Sequence, residues 1–139
     1  DVYRRQAVTA VSMGVFWRLL IGTVVMVVAG YMGEAGFINT TIGFVVGMAG
    51  WAYILYEIFS GEASKSAANA KPSVQSAFNT MKWIVTIGWA IYPLGYFLGY
   101  LAGGTDEATL NIVYNVADFI NKIGFCLAIW AAATTEADA

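Results

Sequence analysis

Histidine is missing from the 139 residues, cysteine occurs once, as Cys126, and proline twice, as Pro72 and Pro93. The missing histidines remove the usual imidazole base and the commonest metal ligand. A lone cysteine supports neither a disulfide framework nor a thiolate zinc site, so no metal centre is expected. Charge is scarce too: Asp, Glu, Lys and Arg make up 12% of the chain, where an ordinary soluble domain has about 25%. A net charge of −2 leaves no basic surface for phosphate backbones, which excludes a nucleic-acid partner. What is abundant is apolar, with 59% hydrophobic residues and a mean hydropathy of +0.65. Disorder and a water-soluble enzyme are both excluded. The expectation is an integral membrane protein that is not an enzyme and whose first partner is the lipid bilayer.

The few charges cut the sequence into spans. Leu19 to Gly33, Ala35 to Tyr56 and Trp83 to Thr105 carry none, and Ala108 to Thr135 is interrupted only by Asp118 and Lys122. A helix rising 1.5 Å per residue needs about 20 apolar residues to cross a hydrocarbon core of about 30 Å. The first run reaches that length if it begins near Val11 and Arg18 snorkels along its stem toward the headgroups. The fold class is therefore all-α, a polytopic transmembrane bundle forming a single transmembrane domain, with helices near Val11–Met32, Ile38–Phe59, Phe78–Leu101 and Leu110–Ala133.

Gly33-Glu34-Ala35-Gly36 and Gly103-Gly104-Thr105-Asp106 read as short turns that make neighbouring helices antiparallel. Ser60 to Gln75 is one longer polar connection, and Pro72-Ser73 suits the start of the third helix. Arg4, Arg5 and Arg18 lie at the amino end and Lys65, Lys71 and Lys82 in or beside the second connection. By the positive-inside rule the amino terminus, that connection and the carboxyl tail with Glu136 and Asp138 are cytoplasmic. The chain opens on a hydrophilic Asp1-Val2-Tyr3-Arg4-Arg5-Gln6 rather than on Met, which reads as a piece of something longer.

The chemistry concentrates in the fourth span. Lys122 falls near its middle, where a charge costs about 2.5–3.5 kcal/mol on insertion scales. Asn111, Asn115, Asp118 and Lys122 recur at i, i+4, i+7 and i+11, one polar stripe facing the bundle interior, with Tyr114 beside it. Two readings stand. Asp118 and Lys122 are a self-neutralising buried ion pair, or Lys122 is an amine that condenses with an aldehyde and Asp118 is the counter-ion of the resulting cation. In the third span Trp89, Tyr92, Pro93 and Tyr96 share a face, which is either ordinary packing or one wall of a box for a flat conjugated ligand. Pro93 also frees a carbonyl and permits a kink.

Several motifs carry a resemblance. Trp89-Ala90-Ile91-Tyr92-Pro93, Tyr114-Asn115-Val116-Ala117-Asp118-Phe119-Ile120-Asn121-Lys122, Gly30-Tyr31-Met32-Gly33-Glu34-Ala35-Gly36 and Pro72-Ser73-Val74-Gln75-Ser76-Ala77-Phe78-Asn79-Thr80-Met81 resemble the proteorhodopsin family of retinal-binding microbial rhodopsins. The likeness runs over nearly everything after Val11, and the four spans look like helices D to G of its seven. It implies a light-driven outward proton pump in the inner membrane, with covalent all-trans retinal as cofactor. Lys122 then forms the Schiff base and Asp118 its counter-ion, Tyr92 hydrogen-bonds Asp118, and Trp89, Pro93 and Tyr96 line the polyene. Met26, Gly30, Phe44, Gly47, Met48 and Trp51 match places near the ionone ring, although the Gly and Met face on the second span is equally suited to close helix packing.

The chain departs from the family in having neither the helix C motif that holds the primary proton acceptor nor any histidine. The resemblance therefore implies that helices A to C belong to a missing or separate segment, and that the assembly is a homo-oligomer. A photosensory rhodopsin signalling to a partner and a non-photoactive scaffold are the alternatives. Glu57 is a possible proton relay or, more simply, a snorkelling end-cap carboxylate. Glu34 is a possible relay or a solvated turn residue. Cys126 reads as a small buried residue, and Asn39-Thr40-Thr41 matches a glycosylation acceptor pattern.

Overall fold

The structure, a computed structural model, describes residues 12–137. Its helices are α1 (Met13–Glu34), α2 (Thr40–Phe59), α3 (Glu62–Ala68), α4 (Pro72–Trp83), α5 (Ile91–Tyr96) and α6 (Glu107–Ala137), with π turns at Ile84–Gly88 and Phe97–Leu101. Among the described residues there are four stretches long and apolar enough to cross a membrane: Met13–Glu34, Thr40–Ala68, Pro72–Leu101 and Glu107–Thr135. Large apolar side chains such as Trp17, Ile42, Trp83, Phe119 and Trp130 point outward. In water such a surface would aggregate, whereas in lipid it is solvated.

Local chemistry explains where the helices start. The Ser12 hydroxyl accepts the Val15 amide at 3.3 Å, and the Asn39 side chain accepts the Thr41 and Ile42 amides at 2.9 and 3.3 Å. The asparagine of the glycosylation-like triplet thus has an N-cap role. Gly36 supplies the positive φ of 76° in the turn between α1 and α2. Pro72 opens α4 where its missing N–H costs nothing.

Helix α1 packs along α2 through small residues. A Cβ placed on Gly43 would lie 2.8 Å from the Ala29 carbonyl and from Gly33 Cα, so backbone touches backbone there. The second and third spans meet around Ile54, Ile58 and Val85, with Phe78, Trp89 and Phe125 packed against them. Helix α6 lies against α4 and α5.

The structure differs from the hydropathy reading at several edges. Ser60 to Gln75 holds the short helix α3, and the third span starts at Pro72 rather than Phe78. The fourth helix runs from Glu107 to Ala137 rather than from Leu110 to Ala133. Hydropathy marks only the apolar part of a helix, while the hydrogen-bond ladder continues into polar flanks. Val11, Arg4, Arg5 and Asp138 lie outside the described residues.

Candidate functional site

Pro93 organises the third span through a chain of displaced hydrogen bonds. Lacking an N–H, it leaves the Trp89 carbonyl without its partner four residues on. The Tyr92 amide turns to that carbonyl at 3.2 Å and so abandons Gly88. The Gly88 carbonyl cannot take the next amide either, because that residue is Pro93. It accepts instead from Asn121 Nδ2 on α6 at 3.1 Å. One turn earlier the Trp89 amide bonds Ile84 across a π turn at 3.1 Å. The released Val85 carbonyl accepts from Trp51 Nε1 on α2 at 3.0 Å. Buried carbonyls are thereby satisfied by side chains from both neighbouring spans.

Beside this break, Lys122 Nζ donates to Asp118 Oδ2 one turn away on α6. The other carboxylate oxygen, Oδ1, accepts the Tyr92 hydroxyl at 2.6 Å. Both oxygens of one acid are engaged, one by an amine and one by a phenol. The Tyr114 hydroxyl donates to the Tyr92 carbonyl at 3.3 Å, and its ring lies 5.7 Å from that of Tyr92. The Lys122 side chain is 75% exposed and that of Asp118 45%, so the amine stands open to the space it faces.

That space is a half-open cavity of about 730 Å³ between α1, α2, α5 and α6, within the usual range for small-molecule sites. Trp51, Trp89, Tyr92, Pro93 and Tyr96 supply flat walls, and Lys122 and Asp118 supply the charged group. Gly30 opens the floor, since a Cβ there would meet nothing within 4 Å. Tyr96 is held by donating to the Thr40 carbonyl at 2.8 Å and stacks near Phe44 at 5.5 Å. The arrangement suits an elongated apolar molecule with an electrophilic end at Lys122.

Comparison with known proteins agrees with this geometry. The pattern of the bacteriorhodopsin-like protein family matches residues 5–136. The chain belongs to that family. It is 50% identical over 131 residues to a green-light absorbing proteorhodopsin from Gamma-proteobacterium EBAC31A08, covering 94% of this chain and 53% of that relative. The crystal structure of a blue light-absorbing proteorhodopsin from Med12 superposes with a TM-score of 0.75 at 53% identity, over 88% of this chain and 56% of that one. Exiguobacterium sibiricum rhodopsin gives a TM-score of 0.80 at 33% identity, over 91% and 60% respectively. The chain spans about half the length of the curated relatives it matches. It is a multi-pass membrane protein of the microbial rhodopsin fold.

Within this bacteriorhodopsin-like chain, the structure brings Met26, Gly30, Phe44, Gly47, Met48, Trp51, Trp89, Tyr92, Pro93 and Tyr96 around one cavity with Tyr114, Asn115, Asp118 and Lys122. Asn111 is not among the lining residues and is exposed, so the polar stripe meets the cavity only from Asn115 onward. Glu34, expected in the turn, is the last residue of α1; it is exposed and also lines the cavity.

Two readings need correcting. Glu57 is not a snorkelling end cap but 2% exposed, because α3 folds back over it. Its Oε1 accepts the Ala63 amide at 3.2 Å, and Arg18 Nη1 is 3.8 Å from its Oε2. Cys126 is not buried; it is exposed and lines the cavity one turn beyond Lys122. Arg18, expected to snorkel, is tied to Glu62 of α3. Sequence reasoning gave no role to Asn121, whose signal was an amide next to Lys122 within a membrane span.

Proposed function

We propose that this chain is the retinal-binding part of a light-driven outward proton pump of proteorhodopsin type. Its four spans take the places of helices D to G, and helices A to C complete the bundle from a further segment. The observation that carries this reading is an amine and a phenol sharing one carboxylate at the side of an aromatic cavity, Lys122 and Tyr92 on Asp118. Lys122 Nζ would hold all-trans retinal by condensing with its aldehyde, the carbonyl oxygen leaving as water. Asp118 stays beside the nitrogen as counter-ion, and Tyr92 fixes the orientation of that carboxylate. Trp89, Pro93 and Tyr96 would flank the chain of the chromophore and exclude water, and Met26, Gly30, Phe44, Gly47, Met48 and Trp51 would receive its ring.

When bound, retinal supplies absorption of visible light and the isomerisation that starts the cycle. The residues of this chain hold the proton at Lys122 in the dark; the proton acceptor and donor belong to helix C. The site sits in a multi-pass bundle of the inner membrane with the amino end, the α2 to α4 connection and the carboxyl tail in the cytoplasm, assembled as a homo-oligomer.

The test is a visible spectrum after adding all-trans retinal to membranes holding this chain with helices A to C co-expressed, with Lys122→Ala as control. A red-shifted band in the wild type that is absent in Lys122→Ala is expected, together with light-driven acidification outside the vesicle. No band in the wild type overturns the retinal reading. A band without any pH change overturns the pump and leaves a photosensory rhodopsin.

A further inference from the structure

The break in the third span has a partner that its own sequence does not supply. The Gly88 carbonyl is stranded by Pro93 and by the Tyr92 amide's turn to Trp89, and the donor that reaches it is Asn121 Nδ2 at 3.1 Å. Asn121 is the residue immediately before Lys122. Its approach also depends on a glycine: a Cβ on residue 88 would lie 2.1 Å from Asn121 Oδ1. The next residue, Trp89, is one of the cavity walls. A stranded carbonyl, a side chain aimed at it and the space left by Gly88 for that side chain therefore converge on one contact between α6 and the third span.

We propose that Asn121 is a positioning residue that ties the Lys122 turn of α6 to the bend of the third span, and so sets where Trp89 stands in the cavity. This rests on the retinal reading for its functional consequence but not for its geometry. Tyr92 on Asp118 and Tyr114 on the Tyr92 carbonyl also join α6 to this stretch, but the Asn121 bond is the one that starts beside the amine and ends on the backbone next to Trp89. Trp51 Nε1 on Val85 holds the same bend from α2, one turn earlier.

The experiment has two arms in the assembly with helices A to C, using a Cys126→Ser background. In the first, without retinal, spin labels at positions 79 and 98 report the distance across the bend. Asn121→Ala is expected to shift or broaden that distance, whereas Asn111→Ala, outside the cavity, leaves it unchanged. In the second arm, with retinal bound, Asn121→Ala is expected to keep the visible band but displace it. The late photocycle step should change in rate by about two- to tenfold, the range of one net hydrogen bond. Gly88→Ala should reproduce both effects by pushing the amide away, which keeps the test informative should Asn121→Ala assemble poorly.

An unchanged distance overturns the proposal. So does an undisplaced band with unaltered kinetics. A changed distance in an assembly that forms no pigment supports the tie and overturns the retinal reading alone.

Discussion

Asp118 is the residue whose surroundings say most about the site. Both its oxygens are engaged, yet its side chain is nearly half exposed, so its bonds are worth less than those of a dry charge pair. A charge-assisted hydrogen bond contributes about 1.5–3 kcal/mol when shielded. For the Tyr92 hydroxyl, discounted for this exposure, a coupling of about 1 kcal/mol is expected. A double-mutant cycle of Tyr92→Phe against Asp118→Asn, measured by denaturant unfolding in micelles, checks it. Additive losses would show that the 2.6 Å contact holds nothing together. The residue types at this site were legible in the sequence, because an acid and an amine one turn apart in an apolar helix are conspicuous. Asn121 was not, since its role depends on a carbonyl freed in another span.

Elements here begin and break for local reasons. At the start of α6 the Asp106 carboxylate takes the Thr109 amide at 2.9 Å and the Thr109 hydroxyl at 2.6 Å. These bonds hold its carboxyl below the usual carboxylate range. With the folded value depressed, the stabilisation is complete above the ordinary carboxylate pKa and is lost as pH falls through the folded one. Asp106→Ala is therefore expected to lower the thermal midpoint at neutral pH, and the gap to wild type should close on acidification. Melting curves of both proteins across a pH series from neutral downward test this, and a gap independent of pH would refute it. The third span illustrates the opposite case. Pro93 announced a kink, but the π turn at Ile84–Gly88 lies ahead of the proline, because the displaced bonds propagate toward the amino end.

For the whole molecule, the cavity is the shared product of all four spans, lined by α1, α2, α5 and α6. A ligand that binds only the assembled bundle stabilises it by mass action, about 2.7 kcal/mol at a hundredfold excess over Kd. Removing retinal from the pigment is accordingly expected to lower the thermal midpoint by about 5–10 °C. Lys122→Ala should show no such difference between retinal-treated and untreated samples. Equal midpoints for bleached and loaded wild type would mean that the chromophore is not held among these helices.

The sequence by itself determined that the chain is a helical membrane protein, because scarce charge and long apolar runs leave the backbone no other way to satisfy its hydrogen bonds in lipid. It also determined the candidate chemistry, since a lysine within an apolar span is costly enough to need a purpose. Only the tertiary structure decided which residues serve as partners. Asn111 falls away from the cavity, Glu57 is covered by α3, Cys126 faces the open side, and Asn121 and Trp51 reach across to carbonyls that helical periodicity counts as already bonded. Periodicity specifies a face of one helix, whereas a contact is fixed by where a second helix stands, and that is settled by packing between segments far apart in the chain.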